Sequence, residues 1–166
     1  MTEAPLRPRR VVTVAWDALL DAYRTAALCD EATAPWLDLH CGQIVCAQVS
    51  GDAELAQAAA IGRLVRIPAK APLASLEQRL AFTDTVWDDE LRDALAQGLA
   101  ETNPFVGFHR VLEQDPAEAL RWRDDERRTD ALALAAWLEA AGYEAVPRPP
   151  AARSIIGFPR KAPDEA

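Results

Sequence analysis

Strand-like alternation of apolar and polar side chains is confined to PWLDLHCGQIVCAQVSG, residues 35–51, and to one short run after it. From Pro72 to Ala141 the apolar positions recur at helical spacing instead. A sheet and a helical block that do not alternate along the chain cannot build repeated strand–helix–strand crossovers. The sequence therefore predicts an α+β fold, a small antiparallel sheet of about three strands near the N-terminus packed with a mainly helical C-terminal half.

Within the alternating stretch, Cys41-Gly42 occupies the place of a two-residue hairpin turn. That register sets Leu39 opposite Ile44 and Leu37 opposite Cys46 on the core face, with Asp38 and His40 on the other. A third strand is predicted at Leu64–Ile67, stopped by Pro68, after a short helix in DAELAQAAA. A first amphipathic helix is predicted from Val14 to near Leu28.

The helical half carries its own punctuation. Leu76, Leu80 and Val86 mark one helix, and Asp88 caps a second that carries Leu91, Leu95 and Leu99. Asn103-Pro104 and Asp115-Pro116 are helix starts, because the side-chain oxygen accepts from free first-turn amides and proline needs no partner for a missing N–H. Glu118 stands where a capping box would place it, and Gly142 supplies a left-handed stop. Phe105, Phe108 and Leu112 form one core stripe, and Trp137 with Leu134, Leu138 and Ala141 forms another.

The 166 residues suit one domain. Residues 1–10 read as a flexible basic arm, 11–146 as the α+β domain and 147–166 as a Pro-rich tail. Between Val11 and Pro147 there are 23 acidic and 11 basic residues, against 3 and 7 in the two ends, which together give the net charge of −8. An acidic body repels a phosphate backbone, so nucleic acid could be engaged only through the tails. No apolar run suits a membrane span or a secretory signal, and three cysteines do not make a disulfide framework, so a cytoplasmic location is expected.

The order of these pieces resembles the bacterial uncharacterised protein family 0158. The residues that carry the resemblance are WLDLHCGQIV, VRIP, DDELRDAL, NPFVGFHRVL and LRWRDDERRTDALALAAWLEAAG, spread over roughly Val12 to Glu144. Leu37-Asp38 with Cys41-Gly42-Gln43 match the family's hairpin, Phe105 and Phe108 its aromatic pair, and Trp122, Asp125-Glu126-Arg127 and Trp137-Leu138 its last helix. Cys41 and Asn103-Pro104 depart from that pattern. The resemblance implies a fold arrangement and no chemistry.

Candidate chemistry is sparse. Cys29, His40, Cys41 and Cys46 are zinc-ligand types, but the hairpin register separates Cys41 at a turn tip from Cys46 in the core, so no metal site is assigned. Cys41 beside His40 does not make a nucleophile pair, since adjacent strand residues point to opposite faces. His109 reads as a helix-surface histidine. Ser50, Ser75 and Ser154 lie in no nucleophile-elbow motif, and the glycines form no phosphate loop, so neither catalytic residues nor a cofactor is assigned. Among the acids, Asp88 reads as a cap, Asp89 as Arg92's neighbour, Asp124 as Arg128's partner and Asp125 as Arg121's. Trp122 either closes the core edge or stands on the surface between arginines, a composition typical of binding hot spots.

These readings favour a non-enzymatic binding or regulatory module for a protein partner. Its candidate contacts are Arg121, Trp122, Asp125 and Arg127 on the last helix and Ile155, Ile156 and Phe158 in the tail. The alternatives are an enzyme with an unrecognised carboxylate and arginine site, and weak binding of RNA or another anionic partner through the basic tails. Oligomeric state is left open.

Overall fold

A computed structural model describes residues 10–46 and 51–150. The chain opens with β1 (Arg10–Thr13), α1 (Trp16–Thr25) and a 3₁₀ turn over Ala26–Leu28. It continues through β2 (Pro35–Asp38), β3 (Ile44–Cys46), α2 (Ala53–Ala60) and β4 (Leu64–Arg66). Then come α3 (Pro72–Thr83), α4 (Asp89–Leu99), α5 (Pro104–Leu112), α6 (Pro116–Ala140) and β5 (Tyr143–Val146). The antiparallel sheet β3-β2-β4 lies in the N-terminal half and the helical block follows it, as an α+β fold requires. No helix among the described residues is long and apolar enough to cross a membrane.

Local chemistry explains the helix starts. Asp88 accepts from the amide of Leu91, Asn103 from Val106, and Asp115 from both Ala117 and Glu118. Glu118 does not return to the Asp115 amide, which is already bonded to Leu112 O, and its carboxylate takes Arg121 Nε at 2.7 Å instead. Gly142 is left-handed, with φ 88°, and hands the chain from α6 to β5.

The hairpin register differs from the expected one by two residues. Leu37 pairs with Ile44 and Pro35 with Cys46, so residues 39–43 form the turn. The Asp38 carboxylate causes the widening: it accepts from the His40 amide and from Arg63, which holds the chain open past Cys41-Gly42. Leu39 then donates to Arg63 O at the start of β4 and has no partner in β3. A shift of two conserves the faces, so Leu37 and Leu39 are still buried, but Cys46 lies exposed at the strand end rather than in the core. Asp38, expected on the outer face, is buried because Arg63 covers it.

A second sheet has no counterpart in the sequence reading. β1 and β5 pair in parallel from Arg10↔Tyr143 to Thr13↔Val146. Arg10, assigned by composition to the arm, is thus the first strand residue, and Val14 N still bonds Val146 O, which delays α1 to Trp16. Gly42 packs against this sheet so closely that a Cβ there would lie 1.6 Å from Thr13 O.

Two cores result. Val12, Trp16, Leu19, Leu20, Leu37, Ile67, Ala131, Leu134 and Leu138 fill a mainly aliphatic one between the sheets, α1 and the second half of α6. Phe82, Val86, Leu95, Phe108 and Trp122 fill an aromatic one among the helices. Of the predicted stripes, Phe108, Leu112, Leu134 and Leu138 are buried, Phe105 and Trp137 are half-buried, and Ala141 is exposed.

Candidate functional site

On α6, Trp122, Glu126, Asp130, Leu134 and Leu138 follow one another at intervals of four, and so share a face. Three of them are ordinary core residues. Between them the same face carries two carboxylates inward, and α1, the β4–α3 loop and α3 each supply a cation to meet them.

Asp130 is 2% exposed. Its two oxygens are taken separately, Oδ1 by Lys70 Nζ at 2.6 Å and Oδ2 by Arg24 Nε at 2.9 Å. Glu126, one turn earlier, lies 3.8 Å from Arg24, 3.8 Å from Lys70 and 3.9 Å from Arg79. Lys70 also donates to Gln78 Oε1 at 2.7 Å. Three cations thus face two carboxylates at the seam between the cores. Such a belt adds little stability over an apolar seam, but removing Asp130 leaves Lys70 charged and buried without its close partner.

Arg79 joins the belt to the aromatic core. Its guanidinium lies 4.8 Å from the Phe105 ring centre, 5.1 Å from Trp122 and 5.6 Å from Phe108. Burial lowers its pKa, opposed by the charges of Glu126 and Asp130, yet an arginine stays charged in any case. His109 Nε2 stands 3.3 Å from Arg79 Nη2. His109 is exposed as a residue, as expected of a helix-surface histidine, but desolvation of the ring on its Arg79 side, then the Arg79 charge, lowers its pKa, which favours the neutral form near pH 7. A cation facing Nε2 assigns that nitrogen as acceptor and the proton to Nδ1. His109, Trp122, Arg123 and Glu126 border a recess of about 240 Å³.

The belt holds both acids against cations and leaves neither as a free base. The three cysteines lie on other elements, Cys41 and Cys46 exposed and Cys29 half-buried. Among the described residues no three potential ligands are grouped to hold a metal.

The four predicted contact residues on α6 do not form one surface. Trp122 is 2% exposed, wedged edge-on against Phe82 and Phe108 at 5.1 and 5.0 Å, and its indole Nε1 has no hydrogen-bond partner among the described residues. As a partner anchor it is therefore corrected to a core residue: its face of α6 is the one that meets α3 and α5. Arg121 lies over the Phe82 ring at 4.3 Å and donates to Thr85 Oγ1 at 2.7 Å. Asp125 accepts from Arg128 rather than Arg121, while Arg127 reaches Asp17 on α1. Ile155, Ile156 and Phe158 lie outside the described residues.

Arg121 instead leads to a feature that the sequence reading missed. The α3–α4 loop is held by Arg121 on Thr85, by Thr85 Oγ1 on Phe82 O at 2.6 Å, and by Asp88 capping α4. Val86 is plugged into the aromatic core, and Trp87 beside it is 90% exposed. Asp84, Asp88, Asp89 and Glu90 surround it in sequence, with Arg92 engaged by Asp89. The available signal was the alternation Val86-Trp87 immediately before a capping aspartate, where one neighbour must face in and the other out.

No family model matches the chain, and neither a curated protein nor a solved structure does.

Proposed function

We propose that the protein is a non-enzymatic binding or regulatory module that docks a basic protein partner on the α3–α4 loop. The observation that carries this reading is the exposure of Trp87 on a loop pinned at both ends. Tryptophan supplies large contact area with few rotatable bonds, and a loop already held in place loses little freedom on binding. Acids at positions 84, 88, 89 and 90 select for a cationic partner surface with a cleft for the indole. The pairing of Glu126 and Asp130 with cations supports a structural use of those acids rather than acid–base work. On the same footing we propose that the chain shares the fold arrangement of family 0158. A member with a different strand order would end that comparison.

A benzophenone side chain at position 87 tests the docking surface directly. The expected adducts are with basic proteins, lost in high salt and weakened by Glu90→Lys, while Trp87→Ala abolishes binding of the captured protein. Adducts insensitive to salt and to Glu90→Lys, or unchanged affinity of the Trp87→Ala protein, would overturn the proposal.

A further inference from the structure

Where β1, β5, the turn after β2 and the approach to β4 meet, a recess of about 380 Å³ lies between the two sheets. Its polar lining is Arg10, His40, Arg63 and Tyr143, its apolar lining includes Val11 and Ile61, and no carboxylate among the described residues lines it. The volume falls within the roughly 300–1,000 Å³ usual for small-ligand sites.

Three features single it out in a chain of net charge −8. First, Arg10 is fixed by its backbone, N to Gly142 O at 3.1 Å, but its guanidinium pairs with no acid among the described residues. Second, Arg63 grips Asp38 through Nε and Nη2, which fixes its planar fork while leaving the side chain 48% exposed. Asp38 balances one of the two arginines, so the recess keeps a surplus positive charge. Third, Val11 and Ile61, 61% and 72% exposed, are large apolar side chains left open at the same place.

We propose that this recess binds a small organic oxyanion, a phosphomonoester or carboxylate with an apolar group attached. Arg10 holds the oxyanion in two parallel hydrogen bonds, since guanidinium matches its geometry, and Arg63, whose Nε and Nη2 are taken by Asp38, adds its remaining Nη1 donor and its charge. Tyr143 and His40 offer further polar contacts, and Val11 and Ile61 cover the apolar part.

The test is a titration of the ¹⁵N-labelled protein with phenyl phosphate, benzoate and inorganic phosphate, followed by amide shifts. The expected result is saturable shifts clustered at residues 10, 40, 62, 63 and 143, tighter for an aryl ligand than for inorganic phosphate. Whether phenyl phosphate or benzoate binds more tightly names the head group, and either order supports the site. Arg10→Gln, at an exposed and unpaired side chain, lowers affinity about tenfold, and Ile61→Ser removes the preference for aryl ligands. Arg63→Gln is less informative because it strands buried Asp38. Absence of saturation in the millimolar range, shifts centred elsewhere, or an unchanged affinity in Arg10→Gln would overturn the assignment. Equal affinity for phenyl and inorganic phosphate would overturn the role of Val11 and Ile61.

Discussion

The aliphatic core and the aromatic core share one helix and little else. The first is closed by strands whose partners lie far apart in sequence, the second by helices that follow one another directly. α6 serves the aromatic core through Trp122 and the aliphatic core through Leu134 and Leu138, and between them it presents Glu126 and Asp130. The seam is therefore ionic where each side is apolar. Cohesion across it depends on a few charges from α1, α3 and the β4–α3 loop, whereas cohesion within each core is spread over many contacts.

That contrast can be broken most severely at Asp130. Asp130→Ala leaves buried Lys70 with only the more distant Glu126 as a carboxylate partner and is expected to cost about 3 kcal/mol by urea unfolding. If the belt alone couples the cores, the variant shows separate transitions for the amides of Leu19 and Leu20 and for those of Phe108 and Val111 in NMR-detected urea unfolding; one shared transition would show that the cores are coupled without it. Leu134→Ala is expected to cost about 3 kcal/mol through its cavity, and Phe108→Ala a similar amount, with the two shifting the same transition if the domain unfolds as a unit. Next in size is Gly107→Ala. Its Cβ would meet Gly98 O at 2.2 Å, where α4 and α5 cross, and the expected cost is about 2 kcal/mol with no effect on oxyanion binding.

Why these regions were unequally legible follows from the same comparison. The caps at Asp88, Asn103 and Asp115 were readable because their partners lie two or three residues away. The β1–β5 sheet was not: four-residue strands at opposite ends of the described chain leave no local trace. The hairpin slipped because turn length was judged from Cys41-Gly42, while Asp38 and Arg63, twenty-five residues apart, set it. On α6 helical spacing predicts Asp124 with Arg128 and Asp125 with Arg121, whereas the structure pairs Asp125 with Arg128 and Glu118 with Arg121, and pairing along the helix also misses the buried acids. Reading the four-residue ladder through Trp122, Glu126, Asp130, Leu134 and Leu138 would have shown two acids on a core face.

Two smaller effects sharpen the contrast. Hydrogen bonds from Arg63, with help from the His40 amide, hold the Asp38 pKa at about 2 against an ordinary 3.8. A depressed carboxylate pKa stabilises the fold above the unfolded value and is lost as pH falls through the folded one. The wild type should therefore lose stability between pH 4 and 2 more steeply than Asp38→Asn, as acid titrations at fixed urea would show. Smallest of all, Trp87→Ala is expected to change stability by no more than about 0.5 kcal/mol, because the side chain touches little. A larger loss in thermal unfolding would make Trp87 structural.

The parallel pairing of Arg10–Thr13 with Tyr143–Val146 also bears on synthesis. During translation β1 leaves the ribosome with its edge amides and carbonyls unmatched, and its ladder partner is made only after α6. The aromatic core can form early from neighbouring segments. The aliphatic core, which needs both Val12 and Ala145, closes late. For much of its elongation, the nascent chain must carry an open strand edge.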